Sequence, residues 1–301
     1  MDRLRALEVF VEVVRQEGFA RAAEALDTSP ANVTRYVGDL EAYLHTRLLN
    51  RSSRKMSLTP SGEALYERAR AILEEVAEAE AVASQAALKP RGLLRVNVPV
   101  SFGLLHLAPL WPGFLTRYPE VQLEVTLNDR MVDIVEEGYD LAIRVARGAT
   151  GDVVARKLAV SRTIACAAPA YLERRGLPQA PADLMQHDCI AYTNSSHPTQ
   201  WPFIAPDGKP AMARLRPVML TNNGDTARAA ALAGLGIVAQ PAFLVGADLQ
   251  QGTLRPVLPE YRLPELDVLA VYPSRRQLSA KVRVLIDFLL EAFSPAPPWD
   301  R

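Results

Sequence analysis

The chain contains 301 residues, with 34 basic and 34 acidic side chains, so its formal net charge at pH 7 is zero. Nucleic-acid binding therefore cannot be argued from bulk charge, and any basic patch has to be local. The length and the 49% hydrophobic content predict a globular chain of about two domains. Cys166 and Cys189 are too few for a disulfide framework, and the sequence shows neither a signal-peptide core nor a membrane-length apolar stretch. These features predict a cytoplasmic protein.

Two helices are predicted at the start of the chain. The first has an apolar stripe at helical spacing, formed by Leu4, Leu7, Val11 and Val14. Gly18 is of the residue type that can end such a helix. The small side chains of Ala22 and Ala23, followed by Leu26, mark a second helix that can approach its neighbour closely, as a helix-turn-helix requires.

A third helix is predicted to begin at the corner Thr28-Ser29-Pro30. Ser29 suits the N-cap, where its hydroxyl accepts a free backbone N–H, and Pro30 suits the first helical position, where an N–H is not needed. One face is predicted to be buried because it carries Val33, Val37, Leu40 and Leu44. The opposite face carries Asn32, Thr34 and Arg35, which is typical of a recognition helix in a major groove.

A basic turn follows the third helix. Residues 47–58 predict two short strands around a polar loop, which is the pattern of a wing. Residues 47–55 contain four basic residues and no acidic one; the basic residues are Arg47, Arg51, Arg54 and Lys55. Most such clusters are solvated surface, so only the combination with the capped corner favours DNA binding. The predicted DNA contacts are Ser29, Pro30, Asn32, Thr34, Arg35, Arg51, Arg54 and Lys55.

One long helix is predicted over residues 60–89, because Thr59 can cap it, Pro60 can start it and Pro90 can stop it. Its apolar and small residues keep the four-three spacing of a coiled-coil seam: Leu65, Ala69, Ile72, Val76, Ala79 and Ala83. The spacing predicts a dimerisation helix. The alternative is a surface helix packed on its own domain.

Beyond residue 90, strand-like runs alternate with helices, which predicts an α/β body with early parallel strands. Strands are predicted at 93–98, 121–127, 140–145, 163–168, 237–240 and 268–272. Helices are predicted at 104–118, 131–137, 170–175, 226–233, 242–249 and 279–293.

Over its full length, the sequence resembles the LysR-type transcriptional regulators. In the head the resemblance is carried by Ala22-Ala23, Leu26, Ser29-Pro30, Val33, Arg35, Leu40-Glu41, Leu44, Leu48, Arg51 and residues 58–62. In the body it is carried by residues 138–144, 169–172, 187–189 and 234–237. Thr34, His45 and Leu49 depart from the family pattern, which usually has serine, glycine and phenylalanine there. Thr34 keeps a hydroxyl for phosphate contact, whereas Tyr36 and Gly38 leave the base preference open.

The resemblance implies an all-α winged helix-turn-helix head plus a long linker helix, followed by an α/β two-lobed effector domain similar to periplasmic binding proteins. The implied domains are 1–59 for DNA binding, with the helix-turn-helix at about 19–38, 60–89 for the linker and 90–301 for the effector. Lobe I would comprise about 91–160 plus 267–294, and lobe II about 161–266. The implied partners are double-stranded DNA, a second copy of the chain in a dimer or tetramer, and a small-molecule effector in the cleft between the lobes. A carboxylate effector is expected from the family alone.

Polar residues at predicted strand ends suggest such a cleft independently of the resemblance. Ser101 is the first choice, because residues 99–102 lie between a strand and a helix, where free N–H groups and a hydroxyl can hold a carboxylate. The candidate effector contacts are Ser101, Phe102, Asn128, Arg144, Thr193, Asn194 and Asn223. Each also has a local explanation, since Asn and Ser favour turns and Arg144 can simply pair with an acid.

An enzyme is the main alternative class. His187, Asp188 and Cys189 are adjacent, yet neighbours in a strand point to opposite faces and cannot form a Cys–His pair. The 234–239 segment imitates a dinucleotide fingerprint, but it follows a helix and enters a strand, which is the wrong order. Hydrolase and zinc motifs are absent from the sequence, so we expect no catalytic residue, cofactor or metal. A plain small-molecule-binding protein would leave the head and linker unexplained.

Overall fold

The structure is a computed structural model, and it describes residues 2–51, 56–83, 89–148, 153–273 and 278–300. The chain divides into two units, Met1–Leu88 and Lys89–Arg301. Within the described ranges, no helix has both the length and the apolar character needed to cross a bilayer.

The first unit is built from helices and one hairpin. Its elements are α1 (Arg3–Arg15), α2 (Phe19–Ala25), α3 (Pro30–Leu44), β1 (Leu49–Arg51), β2 (Met56–Leu58) and α4 (Pro60–Ala83). The strands β1 and β2 pair antiparallel, with Asn50 opposite Ser57. The three first helices bury one apolar face each against a shared core that includes Phe10, Ala22 and Val37. This is the winged helix-turn-helix architecture that the sequence predicts.

The helices of the head end in left-handed residues that are not glycine. Glu17, Asp27 and His45 follow α1, α2 and α3 with φ angles of 48°, 50° and 51°. After α1, the N–H of Gly18 donates to Val13 O and that of Glu17 to Val14 O, which is a Schellman motif. Gly18 is therefore involved in ending α1, but the left-handed position belongs to Glu17, since Gly18 itself is extended with φ 175°.

The start of α4 belongs to the core of the head. Thr59 caps it as predicted, because its Oγ1 accepts the N–H of Gly62 at 3.0 Å. Tyr66 packs edge-on against Phe10 of α1, with ring centroids 6.5 Å apart. The side chain of Ile72 is 45% exposed. The predicted helix extends to residue 89, of which residues 84–88 lie outside the described part of the chain.

The second unit is an α/β structure. Its strands are β3 (Gly92–Val98), β4 (Val121–Leu127), β5 (Leu141–Ala146), β6 (Val153–Ser161), β7 (Thr163–Ala167), β8 (Asp188–Tyr192), β9 (Gln200–Ile204), β10 (Pro210–Arg214), β11 (Arg216–Thr221), β12 (Ile237–Pro241), β13 (Arg255–Pro256) and β14 (Leu266–Pro273). Its α-helices are α5 (Val100–Phe102), α6 (Trp111–Arg117), α7 (Pro169–Arg175), α8 (Gly224–Leu232), α9 (Ala242–Gln251) and α10 (Ala280–Ala292).

Two five-stranded sheets define two lobes. The first has the order β4-β3-β5-β14-β6, with β3 parallel to both β4 and β5. The second has the order β11-β8-β12-β7-β13, with β8 parallel to both β11 and β12. The chain passes from the first sheet to the second at Arg162, between β6 and β7, and returns between β13 and β14. The parallel strands bring the ends of β3, β4, β8 and β11 to the edges where polar residues were predicted.

Two sequence predictions for this unit need correction. The prediction of a helix at 131–137 is wrong, because only a single turn forms there. In this turn the N–H of Glu137 donates to Asp133 O at 3.0 Å, and Gly138 ends it with a φ of 71°. The helix predicted at 104–118 is a composite. A π-helical turn at Gly103–Leu107 and a 3₁₀ turn at Ala108–Leu110 separate α5 from α6, since Pro109 and Pro112 lack the N–H that a regular α-helix uses.

Six strands of the described second unit were not predicted: β6, β8, β9, β10, β11 and β13. Of these, β9 and β10 form a separate antiparallel hairpin that contains Pro202 and begins its second strand at Pro210. Pro217 interrupts the register of β11, an edge strand, against β8. Proline lowers strand propensity in a single sequence although edge strands tolerate it.

Candidate functional site

The exposed face of α3 is built by its cap. Ser29 Oγ accepts the N–H of Asn32 at 3.2 Å and Pro30 occupies the first helical position, so the predicted cap is confirmed. Val33, Val37 and Leu40 are buried, whereas Leu44, predicted to be in the same buried stripe, is 38% exposed. The five predicted contact residues on and before this helix are all exposed: Ser29, Pro30, Asn32, Thr34 and Arg35.

Two side chains on this face already make local contacts. Thr34 Oγ1 donates to Pro30 O at 2.9 Å within the helix, which leaves the hydroxyl oxygen able to accept a further hydrogen bond. The Arg35 guanidinium lies 5.4 Å from the ring centroid of Tyr36. One turn further along α3, a Cβ added at Gly38 would meet no atom within 4 Å, so no other part of the protein covers the helix there.

The wing is attached to α3 by backbone contacts. Glu41 Oε1 accepts the N–H groups of Leu48 and Leu49 at 2.8 and 3.2 Å. Thr59 Oγ1 donates to Arg47 O at 2.7 Å from the other side of the hairpin. The bonds of Glu41 thus join the start of β1 to the recognition helix, and the bond of Thr59 joins the two ends of the hairpin. Residues 52–55, with the predicted contacts Arg54 and Lys55, lie outside the described residues, and so does the side chain of Arg51.

In the second unit, the two lobes meet through hydrogen bonds at the predicted strand ends. Ser101 Oγ, in lobe I, donates to Asp225 Oδ2, in lobe II, at 2.6 Å. Asp129 of lobe I accepts from two lobe II amides: Asn223 Nδ2 reaches its Oδ2 at 3.1 Å and Asn194 Nδ2 reaches its backbone O at 2.7 Å. The structure therefore brings Ser101, Asn194 and Asn223 together, as the cleft prediction requires.

Local structure positions these groups. The Asn128 N–H donates to Val98 O at 3.0 Å, which sets Asp129 beside the start of α5. There Asp129 Oδ1 accepts the N–H of Val100 at 3.0 Å. Across the cleft, Asn223 caps α8 by accepting the N–H of Thr226 at 3.0 Å. The donors at residues 100 and 101, predicted to hold an effector carboxylate, are thus occupied by the protein's own carboxylates.

Gly224 allows the lobes to approach. A Cβ at this position would lie 2.8 Å from Leu244 Cδ2, 3.2 Å from Ser101 Oγ and 3.6 Å from Gln240 Oε1. Gln240, at the end of β12, is only 4% exposed, and its side chain forms no hydrogen bond with any described residue. Its amide atoms are not among the fully enclosed unpartnered atoms of the described residues, so the amide keeps some accessible surface. Such a group at a cleft is a ligand-binding candidate.

The remaining predicted effector residues have other surroundings. Phe102 is fully buried and packs its ring against Phe243 and Trp299, so it supports α5 from behind. Asn128 Oδ1 accepts the N–H of Arg130 at 3.1 Å, and Thr193 is exposed.

Arg144 is turned toward the loop after β4. Its guanidinium contacts Met131 Sδ and donates to Val132 O at 2.6 Å. Burial lowers the pKa of Arg144, and the nearby charge of Asp133 opposes this shift. The guanidinium therefore braces lobe I and is not paired with a cleft carboxylate in the described structure.

Sequence reasoning missed Asp129, Asp225 and Gln240. The polar effector contacts predicted from the sequence are hydroxyl, amide and guanidinium groups, which donate to anions, and they include no acids. The signal was present for Asp129, which directly follows Asn128, and for Asp225, which sits in the first turn of α8. Gln240 gave no signal because it belongs to a buried strand.

The candidate nucleophile cluster is structural. Burial raises the pKa of the Cys189 thiol to about 11, and its Sγ contacts backbone groups, among them the carbonyl oxygens of Leu184 and His187 and the backbone of Arg216. The His187 ring faces Tyr171 Oη at 3.3 Å through Nδ1, and burial lowers the pKa of this imidazole. No group of three metal-ligating side chains occurs within the described ranges. This cluster thus lacks an activated Cys–His pair.

Family models match both units. The model described as bacterial regulatory helix-turn-helix protein, lysR family, matches residues 4–63, and that described as LysR substrate binding domain matches residues 88–294. An HTH-type transcriptional regulator of Haemophilus influenzae is 36% identical over 282 residues, covering 94% of this chain and 98% of the relative. The Escherichia coli regulator DmlR is 36% identical over 296 residues, covering 98% of this chain and 96% of DmlR.

Solved structures agree. CrgA, a LysR-type transcriptional regulator from Neisseria meningitidis, has a TM-score of 0.61 and 34% identity, covering 96% of this chain and 98% of that one. These matches confirm the resemblance, the fold class and the choice of a regulator over an enzyme. LysR regulators bind DNA, form oligomers and respond to small-molecule effectors. The chain therefore belongs to the LysR family, as a DNA-binding transcriptional regulator with a helix-turn-helix head and an effector-binding domain.

Proposed function

We propose that this regulator reads a partly symmetric promoter with α3, and that an effector between the two lobes changes how its heads are spaced. The observation that carries the proposal is the capped helix α3, which buries Val33 and Val37 and exposes Asn32, Thr34 and Arg35 on the opposite face. A helix with this division can enter the major groove while its apolar face stays packed.

The exposed groups suit distinct contacts. Arg35 has the fork geometry that reads guanine O6 and N7, and Asn32 can bond adenine at N6 and N7. The hydroxyl of Thr34 suits phosphate, as do Ser29 and the backbone at Pro30, where the helix begins. We further assign Arg51, Arg54 and Lys55 to the phosphate backbone or minor groove, on the basis of their charge and their place in the wing sequence.

We assign pairing of two copies to the linker helix, with the domain boundaries 1–59, 60–89 and 90–301. Leu65 packs against the core of the head and Ala69 is buried, whereas Ile72, next in the same stripe, is 45% exposed. An exposed isoleucine continuing a buried stripe supports a partner helix at this point. A dimer formed in this way, or a tetramer of two such dimers, would present recognition helices to successive major grooves. The site of action would be the cytoplasm.

The effector would bind where the lobes meet, near Ser101, Asp129, Asn194 and Asn223. These residues lie on both lobes, so a ligand that changes their contacts also changes the closure of the cleft. A carboxylate, the class expected from the family, would bind Ser101 Oγ and the N–H of Val100. To do so it would have to displace Asp225 and Asp129 from those donors.

The test is fluorescence anisotropy of the full chain on the DNA immediately upstream of its own coding region, with a scrambled duplex of equal length. Both duplexes are titrated over a range of salt concentrations, since phosphate contacts make affinity salt-dependent. We expect tighter binding to the upstream duplex at every salt concentration. Equal affinity for both duplexes would contradict promoter recognition by this head.

A further inference from the structure

The cleft carries more negative charge than an anion-binding site should. Asp129 and Asp225 both face the lobe junction, whereas the buried Asp248 pairs with Arg228 at 2.7 Å. The two junction carboxylates, Asp129 and Asp225, thus form no ion pair with any described residue, because the Arg228 guanidinium is bonded to Asp248. The Arg228 charge acts on Asp225 as well as Asp248, yet its hydrogen bonds in the described structure go to Asp248.

The groups that would hold an anion are already engaged. Val100 N–H donates to Asp129 at 3.0 Å and Ser101 Oγ donates to Asp225 at 2.6 Å. Arg144 donates to a backbone carbonyl of the neighbouring loop. An incoming carboxylate would therefore meet two like charges and no free cation among these described groups, an arrangement that disfavours anions.

The acceptors, by contrast, have spare capacity. A carboxylate offers about four lone-pair sites, and within the described residues Asp225 receives one hydrogen bond, on Oδ2. Asp129 accepts one hydrogen bond on each carboxylate oxygen, from the Val100 N–H on Oδ1 and from Asn223 Nδ2 on Oδ2. Both can accept further donors from a ligand without losing the bonds that hold the lobes together.

Gln240 supplies an independent indication of a ligand. Its side chain is buried, has no partner among the described residues, and places Oε1 3.6 Å from the Cβ position of Gly224, which is itself 3.2 Å from Ser101 Oγ. The amide is thus aimed at the same junction as Asp225. An amide can both donate and accept, so it suits a neutral hydroxyl or carbonyl group.

We propose that the cleft recognises its ligand by a primary ammonium group, accepted by Asp225 and Asp129, and by a neighbouring hydroxyl or carbonyl, bound by Gln240. This inference rests on the proposed effector role of the cleft, and it replaces the carboxylate expected from the family with a cation. Asp129 and Asp225 are then the residues that determine specificity, because they attract an ammonium and repel an acid.

The test compares two small probes that share four carbons and a hydroxyl: 4-aminobutan-1-ol, which carries an ammonium, and 4-hydroxybutanoate, which carries a carboxylate. Binding to the full chain is followed by saturation-transfer NMR at constant ionic strength, up to the millimolar range in which such small probes bind. We expect the amine to bind at least about tenfold more tightly than the acid. Equal or tighter binding of the acid, or no binding of the amine, would overturn the proposal.

Variants locate the effect. Asp225→Asn should lower the affinity for the amine by about tenfold and reduce the ratio of amine to acid affinity. Gln240→Leu should lower the affinity for both probes. Asp207→Asn is the control, since that carboxylate is exposed and bonds to Lys209 in a turn of lobe II. Circular dichroism confirms folding, and Asp129→Asn repeats the test should Asp225→Asn fail to fold. Amine binding unchanged in a folded Asp225→Asn protein would refute the assignment.

The same preparations are assayed on the upstream and scrambled duplexes. Amine preference without selective DNA binding would refute the proposed promoter recognition and leave the ligand class standing. Selective DNA binding with a preference for the acid would refute the ligand class and leave promoter recognition standing.

Discussion

Gly62 and Leu48 approach so closely that a Cβ on Gly62 would lie 2.0 Å from the Leu48 carbonyl oxygen. This contact joins the first turn of the linker helix to the strand that enters the wing. Glu41 and Thr59 hold the same stretch of backbone from either side. The wing is therefore positioned by a backbone contact that only glycine permits.

Gly62→Ala should destabilise the head by about 1–3 kcal/mol, because an added methyl overpacks the contact with Leu48. Hydrogen exchange followed by mass spectrometry checks this, with faster exchange expected in peptides from residues 2–51. Gly38→Ala is the matched control, since nothing lies within 4 Å of its Cβ position and alanine favours a helix interior. Equal exchange in the two variants would show that Gly62 is not required by packing.

His45→Gly should stabilise the head by about 0.5–1 kcal/mol. His45 follows α3 at φ 51°, where a side chain is strained and glycine is not. The midpoint of urea unfolding, followed by the helical circular dichroism signal, measures the change. Gln16→Gly, at φ −86°, should instead destabilise, so a gain from both substitutions would point to a cause other than backbone strain.

Arg35→Ala should weaken DNA binding and, where the lost contact is to phosphate, lower the slope of log affinity against log salt by about one unit. Loss of a contact to a base would instead reduce the binding free energy by about 1–3 kcal/mol on the upstream duplex and leave binding to the scrambled duplex unchanged. Anisotropy on upstream and scrambled duplexes separates the two cases. Arg15→Ala, on the exposed end of α1, is the control. Binding by Arg35→Ala that matches wild type at every salt concentration would exclude this residue from the reading face.

The buried thiols predict a loss of stability in alkali. Burial, with a smaller contribution from Asp248, raises the pKa of Cys166 to about 12, and burial raises that of Cys189 to about 11. Thiols in the unfolded chain ionise near pH 8.5. Their protons leave the unfolded state first, so the free energy of unfolding falls from about pH 8.5 up to the folded-state values, by about 1.4 kcal/mol per pH unit for each thiol.

Urea midpoints at neutral pH and near pH 10 check this loss. Cys166→Ala should lose less stability between the two pH values than the wild type does, whatever its stability at neutral pH. An identical loss in both proteins would mean that ionisation of Cys166 is not responsible.

Trp299→Ala should destabilise the effector domain by about 3–5 kcal/mol. The ring is 9% exposed and packs among Phe102, His106 and Phe293, and its Nε1 donates to Val160 O at 3.1 Å. Trp299→Phe keeps most of the packing and should cost less, about 1 kcal/mol for the lost hydrogen bond plus a small change in volume. Urea unfolding followed by circular dichroism ranks the three proteins, and equal costs for the two variants would contradict the packing argument.

The head could be predicted from sequence because its determinants are local. The cap needs only Ser29, Pro30 and Asn32 in succession, and the buried stripe needs only helical spacing. The cleft depends on residues far apart in the chain: Ser101 and Asp225 are separated by 124 positions. A single sequence shows which side chains end each strand but not which acid across the junction accepts their hydrogen bonds. For the same reason, the sequence indicates Ser101 as a candidate for the cleft, whereas only the structure shows Asp225 and Gln240 beside it.

One residue, Arg162, separates the strand that leaves the first lobe from the strand that begins the second. Its carbonyl accepts the N–H of Ala242, at the start of α9, at 2.7 Å. The start of α9 is thus tied to this short connection, and Ala242 and Phe243 also pack into the core of the first lobe. A movement of one lobe against the other would therefore have to carry α9 with it or break this packing, which makes the start of α9 the place to look for a structural response to a ligand.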